Sequence, residues 1–166
     1  MPGMNPIELM AEVLTNNLGM VKATLADFSD ADMLVRPTPA ANHAAWQLGH
    51  LINSETNMLR AAAPDAAPAL PAGFAEKFTK ETARSDDRAA FPTKTEMLDL
   101  YEKVRAASAQ WVKGLSADDL NKPTSERLQR FAPTWGHLAL MMPAHTMMHL
   151  GQFQVIRRAL GKPVLF

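Results

Sequence analysis

The chain has 166 residues, no cysteine, and 17 Lys plus Arg against 17 Asp plus Glu for a net charge of +0. A chain of this length can bury a substantial core without staples, and the lack of cysteine excludes disulfides, thiolate metal sites and cysteine nucleophiles. Balanced charge leaves no electrostatic footprint for nucleic acid or an anionic membrane; with no basic, apolar leader and no run of ~18 apolar residues, a cytoplasmic protein is expected.

In chain order, the first periodic segment runs from Pro6 to Phe28, with Leu9, Val13, Leu14, Leu18, Val21, Leu25 and Phe28 mostly three and four apart, which predicts a helix. Pro6 suits its first turn, where a missing N–H costs nothing. A turn capped by Ser29 leads to PTPAAN, which cannot continue a helix because each proline lacks a donor and restrains the residue before it. Asn42 is then the expected cap of a second helix, His43 to Ala62, carrying Trp46, Leu48, Leu51, Ile52, Met58 and Leu59. Residues 63–92 are too rich in Pro and Ala for regular structure. Phe74 and Phe78 are expected to anchor them over one end of the fold.

Thr93 with Glu96 forms a capping box opening a third helix, whose core stripe is Met97, Tyr101, Val104, Ser108, Trp111 and Leu115. A SADDL turn capped by Ser116 follows, then a loop to Thr134. The last helix, Trp135 to Leu160, is apolar round most of its circumference and is expected to be the most buried of the four. Its methionines between 141 and 148 are assigned to packing. Pro143 should kink it, and Gly161, Lys162 and Pro163 end it. The pattern predicts an all-α fold: a single domain, 1–166, built as an up-and-down four-helix bundle with one long connection between helices two and three.

Chemistry concentrates on HTMMHLGQ, where His145 and His149 are four residues apart and so share one helix face. His50, on the second helix, is placed to complete a three-nitrogen site for one divalent metal, zinc favoured, with nickel or another divalent ion also suited to imidazole. Three protein ligands leave an open position, as in catalytic sites, where a bound water or a thiol becomes a nucleophile near neutral pH. His43 lies two turns, roughly 10 Å, from His50 along the axis and is read as structural, as is His137. Gln47, Asn53 and Gln152 are candidates to orient ligands or substrate. Glu55 is off the face of His50 and disfavoured as a ligand or base. Arg157 and Arg158 are assigned to salt bridges before anion capture.

RPTPAANHAAWQLGHLINSE, the Pro-rich stretch before FPTKTEMLDLYEKVR, and HTMMHLGQFQVIRRALGKP together resemble the DinB/YfiT-like superfamily. The last piece is similar to its H-x-x-x-H-x-G-Q then I-R signature, in which Gln152 and Arg157 take the GQ and IR positions. The resemblance implies a DinB-like four-helix bundle whose metal ligands are His50, His145 and His149. It also implies transfer chemistry using a low-molecular-weight thiol on a small-molecule substrate. Metal-dependent hydrolysis and a non-catalytic, metal-binding stress-response role are the alternatives. A homodimer involving Phe74, Leu165 and Phe166 is expected on the same ground.

Overall fold

The computed structural model describes residues 5–165. Four long helices carry the architecture: α1 (Pro6–Leu25), α2 (Ala44–Ala62), α3 (Lys94–Lys113) and, after the single turn α4 (Glu126–Gln129), α5 (Trp135–Ala159). No named strand occurs among the described residues, where the one bridge is an isolated antiparallel pair, Pro123 with Thr134. α1 packs on α3 and α5, and α2 packs on the same two helices, so α1/α2 and α3/α5 are the diagonals of the bundle.

Local chemistry sets the helix starts. The Asn5 side chain accepts from the Ile7 N–H at 3.0 Å ahead of Pro6. Thr93 and Glu96 form the reciprocal capping box. Thr134 caps α5. The cap of α2 is His43 and not Asn42: the His43 ring Nδ1 accepts from the Trp46 N–H at 3.1 Å, while the Asn42 carbonyl accepts from Gln47 Nε2 at 2.7 Å.

Chain directions differ from the up-and-down expectation. Lys22 pairs with Glu102 while Lys94 reaches the Leu25 carbonyl, so α1 and α3 are antiparallel. Asn17 meets Pro143 and Thr24 meets Gln154, so α1 and α5 are parallel. α2 and α3 are parallel too, since Glu55 faces Arg105 and Ala62 lines the same groove as Trp111. The chain therefore runs up, down, down, up. Residues 63–92 do not cap one end; they return the chain along the length of α2, about 28 Å for 19 residues at ~1.5 Å each.

That crossover is pinned to α2. Phe74 and Phe78 are buried with ring centroids 4.7 Å apart. A Cβ on Gly49 would lie 2.0 Å from the Phe78 ring, so only glycine admits that ring beside His50. Trp46 Nε1 donates to the Thr79 carbonyl at 3.0 Å and the His43 ring nitrogen Nε2 to Ser85 at 3.0 Å. From the preceding loop, Arg36 bonds the Ala83 and Ser85 carbonyls and the Asp86 carboxylate.

The apolar core falls into two clusters. One gathers Val21, Ile52, Val104 and Leu150 with the crossover phenylalanines. The other gathers Leu14, Leu59, Val112 and Met142. Each such side chain contributes on the order of 1.5–3 kcal/mol of burial.

Three expectations are corrected here. α5 is not the most buried helix, since 11 of its 25 residues are buried against 11 of 19 in α2: Leu140, Met147, Met148 and Val155 are exposed, Met148 by 66 %, because a corner helix touches only two neighbours and keeps an outer face. Of the methionines between 141 and 148, only Met142 is buried. Trp111 is half-buried, its indole 5.9 Å from that of Trp135 at the bundle end. α5 continues as helix through Pro143.

Candidate metal centre

α2 and α5 run antiparallel along one face of the bundle, and this pairing brings His50 level with His145 and His149. One ring nitrogen of each lies within 4.8 Å of the others. Nε2 of His145 and Nε2 of His149 are 3.2 Å apart, and the His50 ring centroid is 5.1 Å from that of His145 and 5.4 Å from that of His149. His149 is buried; His50 and His145 are half-buried and reach the surface.

Two of the rings are held by different devices. Gln47, three residues before His50, sits across from α5 and its Oε1 accepts from His149 Nδ1 at 2.9 Å. That bond leaves His149 Nε2 with its lone pair directed toward His145, the tautomer a cation needs. Gln47 is itself held through its amide, donated to Asn42. The Trp46 indole stacks on the His50 ring at 5.0 Å and 5° between planes, and Ser54 Oγ lies 3.5 Å from His50 Nε2.

Electrostatics keep the imidazoles neutral. Burial, then the neighbouring His145 and His50, hold His149 down to about 3. Burial, then His50 and Arg105, hold His145 down to about 4. Burial alone lowers His50. Three neutral imidazoles with one ring nitrogen each within 4.8 Å of the others are a donor set suited to a borderline divalent ion such as zinc.

The other candidates fall elsewhere. Asn53 Oδ1 accepts from Asn57 at 3.3 Å, and Gln152 is exposed on α5. His43 is fully buried as the α2 cap, edge-on to Phe91 at 4.9 Å. His137 Nδ1 lies 2.8 Å from Thr134 Oγ1 at the start of α5. Arg157 is 1 % exposed and forked onto the Asp27 carboxylate, so it closes the bundle end. Arg158 is exposed. Glu55 is 1 % exposed and ion-paired with Arg105 at 2.7 Å. Burial pushes its carboxyl up, against the pull of Arg105. Phe74 is inside the protein and unavailable to a partner, Leu165 is 43 % exposed, and Phe166 lies outside the described residues.

Two features of this centre escape sequence reasoning. The Trp46–His50 stack was hidden in an i, i+4 pair that reads equally well as core packing. Arg105 was signalled by a charge set between Tyr101 and Ser108 on an otherwise buried stripe.

The model of the DinB superfamily matches residues 14–153. Among curated proteins no match to the chain is found. The chain is similar in structure to a conserved protein from Enterococcus faecalis, with a TM-score of 0.70 and 18 % identity, covering 96 % of this chain and 100 % of that one. At that identity the likeness speaks to fold.

Proposed function

The chain belongs to the DinB superfamily, and from that premise we propose that His50, His145 and His149 hold one divalent cation, zinc in preference to nickel or another ion, in a cytoplasmic enzyme that transfers a low-molecular-weight thiol to a small electrophilic substrate. The observation that carries the reading is the convergence of three ring nitrogens within 4.8 Å. A divalent cation held there would supply Lewis-acid activation, lowering the pKa of a nucleophile bound to it.

The chain's own residues supply the rest. Gln47 orients His149 through the 2.9 Å bond to Nδ1, and the Trp46 indole fixes the His50 ring plane. Burial keeps protons off His145 and His149 at neutral pH. The histidine cluster includes no carboxylate among the described residues, so a nucleophile that needs no protein base is favoured. A thiol, with pKa ≈ 8.5 for a free cysteine side chain, meets that requirement more easily than water. The protein has no cysteine, so the thiol must come from outside.

The same proposal takes residues 1–166 as a single domain and the protein as a homodimer, with the exposed apolar face of α5, Leu140, Met147, Met148 and Val155, as its contact. A monomer mass by light scattering across the micromolar range would remove the dimer.

The test of function is to incubate zinc-loaded protein with a panel of cellular thiols and monochlorobimane, and in parallel with simple esters and amides. Conjugation that needs metal and disappears in His145→Ala is expected. Ester or amide hydrolysis alone would assign a hydrolase instead. Neither activity, with zinc still bound, would assign a metal-binding protein without turnover.

A further inference from the structure

The two apolar clusters of the core are separated by a layer of buried polar side chains, one or more from each long helix. Asn17 of α1 lies between Leu14 and Val21, Glu55 of α2 between Ile52 and Leu59, Arg105 of α3 between Val104 and Ala109, and Thr146 of α5 between Met142 and Leu150; in each pair the flanking residues belong to opposite clusters. All four polar side chains are at most 4 % exposed. Thr146 follows His145 directly, so the layer lies level with the histidine cluster.

Arg105 is the hub of this layer. Its Nη2 donates to Thr146 Oγ1 at 2.5 Å and to the Tyr101 hydroxyl, and pairs with Glu55 Oε2 at 2.7 Å. Tyr101 and Thr146 are themselves bonded at 2.8 Å. One guanidinium therefore ties α2, which carries His50, to α5, which carries His145 and His149. On its third side Asn17 Nδ2 donates to the Pro143 carbonyl at 2.9 Å and fixes α5 against α1.

Stability alone does not account for this arrangement. Glu55 Oε1, Arg105 Nε and Arg105 Nη1 are buried without a protein partner among the described residues, and an incompletely satisfied buried ion pair is commonly no better than apolar side chains of equal volume. Directional bonds do give what apolar packing does not, a single axial register. A slip of one residue moves a helical side chain ~1.5 Å along the axis and ~100° around it. Metal–ligand distances tolerate only about ±0.2 Å.

We propose that Arg105, held by Glu55 and bonded to Thr146, is a positioning residue for the histidine centre that sets the register of α5 against α2. The inference rests on the metal reading above. Its test is Thr146→Val in the full-length protein, which keeps shape and β-branching and removes the bond from Arg105 to α5. The readouts are Zn²⁺ affinity by competition with a chromophoric chelator, the visible absorption spectrum of the Co²⁺-loaded protein, and thermal unfolding without metal.

We expect cooperative unfolding to be retained, Zn²⁺ affinity to fall by about tenfold or more, the Co²⁺ bands to change, and Thr146→Ser to restore both. Native affinity and an unchanged Co²⁺ spectrum in folded Thr146→Val would overturn the inference and leave the metal reading intact. No Zn²⁺ binding by the native protein would remove both. Should Thr146→Val not fold, the double variant Glu55→Leu with Arg105→Met, which leaves no lone buried charge, decides by the same readouts and the same outcomes.

Discussion

At the scale of single residues, the centre depends on two uncharged residues beside the histidines. Gln47 is the acceptor for His149 Nδ1–H, and removing such an orienting partner typically costs 10–100-fold in metal affinity. Gln47→Leu should therefore weaken Zn²⁺ binding by about 10- to 100-fold with little change in the fold, as measured by calorimetric titration. Equal affinity in the variant would show that His149 needs no such partner. Gly49 is the other. A methyl there would enter the Phe78 ring, 2.0 Å from the nearest ring carbon, and overpacking of this kind costs about 1–3 kcal/mol. Gly49→Ala is expected to lower the unfolding midpoint, and Phe78→Leu in the same chain to recover part of the loss; a neutral Gly49→Ala would mean the crossover is free to lift away. His149→Ala should strip the metal, to be read as zinc per protein by elemental analysis, and a full equivalent retained would sink the ligand assignment.

Among elements, the long helices were legible because each announces itself twice, by a stripe of apolar residues and by a cap or a proline. Thr93 with Glu96 is a reciprocal capping box, and Met97, Tyr101 and Val104 are buried as their spacing requires. Where two caps competed, the sequence was ambiguous: Asn42 has the better intrinsic preference, yet His43 takes the position because its Nε2 is also bonded to Ser85, forty-two residues away. The direction of α3 was equally hidden. Nothing local in residues 63–92 says whether the chain turns back or runs the length of α2; that is settled by Phe78 packing on Gly49 and by Trp46 donating to Thr79. The His145 and His149 pair was readable from spacing because i and i+4 is a helix-face rule, whereas the Arg105 layer was not, since its partners lie on two other helices. This makes the crossover an element whose integrity can be tested apart from the metal: Trp46→Phe removes the bond to Thr79 while keeping a ring on His50. It should expose residues 63–92 to limited proteolysis before the bundle itself is cut, and simultaneous cutting throughout would show that crossover and bundle open as one unit.

For the whole molecule, the distribution of buried titratable groups fixes the direction in which acid acts. His43, His50, His145 and His149 are all lowered from the usual histidine value, chiefly by burial, the last two to about 4 and about 3. An unfolded chain binds protons at these positions from about pH 6.5 downward, while the folded chain does not. Stability from these groups is therefore present above about pH 6.5 and is lost as pH falls toward the folded values. Asp27, Asp30 and Asp32 are lowered by their bonded partners and add to the loss only below the ordinary carboxylate range. Glu55 is raised by burial, so its sign is opposite and it offsets part of that loss. The metal-free protein should thus show a falling unfolding midpoint from pH 7 to pH 4.5 by scanning calorimetry in the presence of a chelator. Replacing His145 and His149 together by Gln removes the two most strongly lowered groups and should flatten that slope. Zinc competes with protons for the same nitrogens, so the midpoint difference between zinc-loaded and metal-free protein is expected to shrink over the same interval, by the loss of mass-action stabilisation worth about 2.7 kcal/mol at a hundredfold excess over Kd. A midpoint that stays level from pH 7 to pH 4.5 in the metal-free protein would mean the histidines are open to solvent, and with that the buried, neutral donor set on which metal binding depends would have to be abandoned.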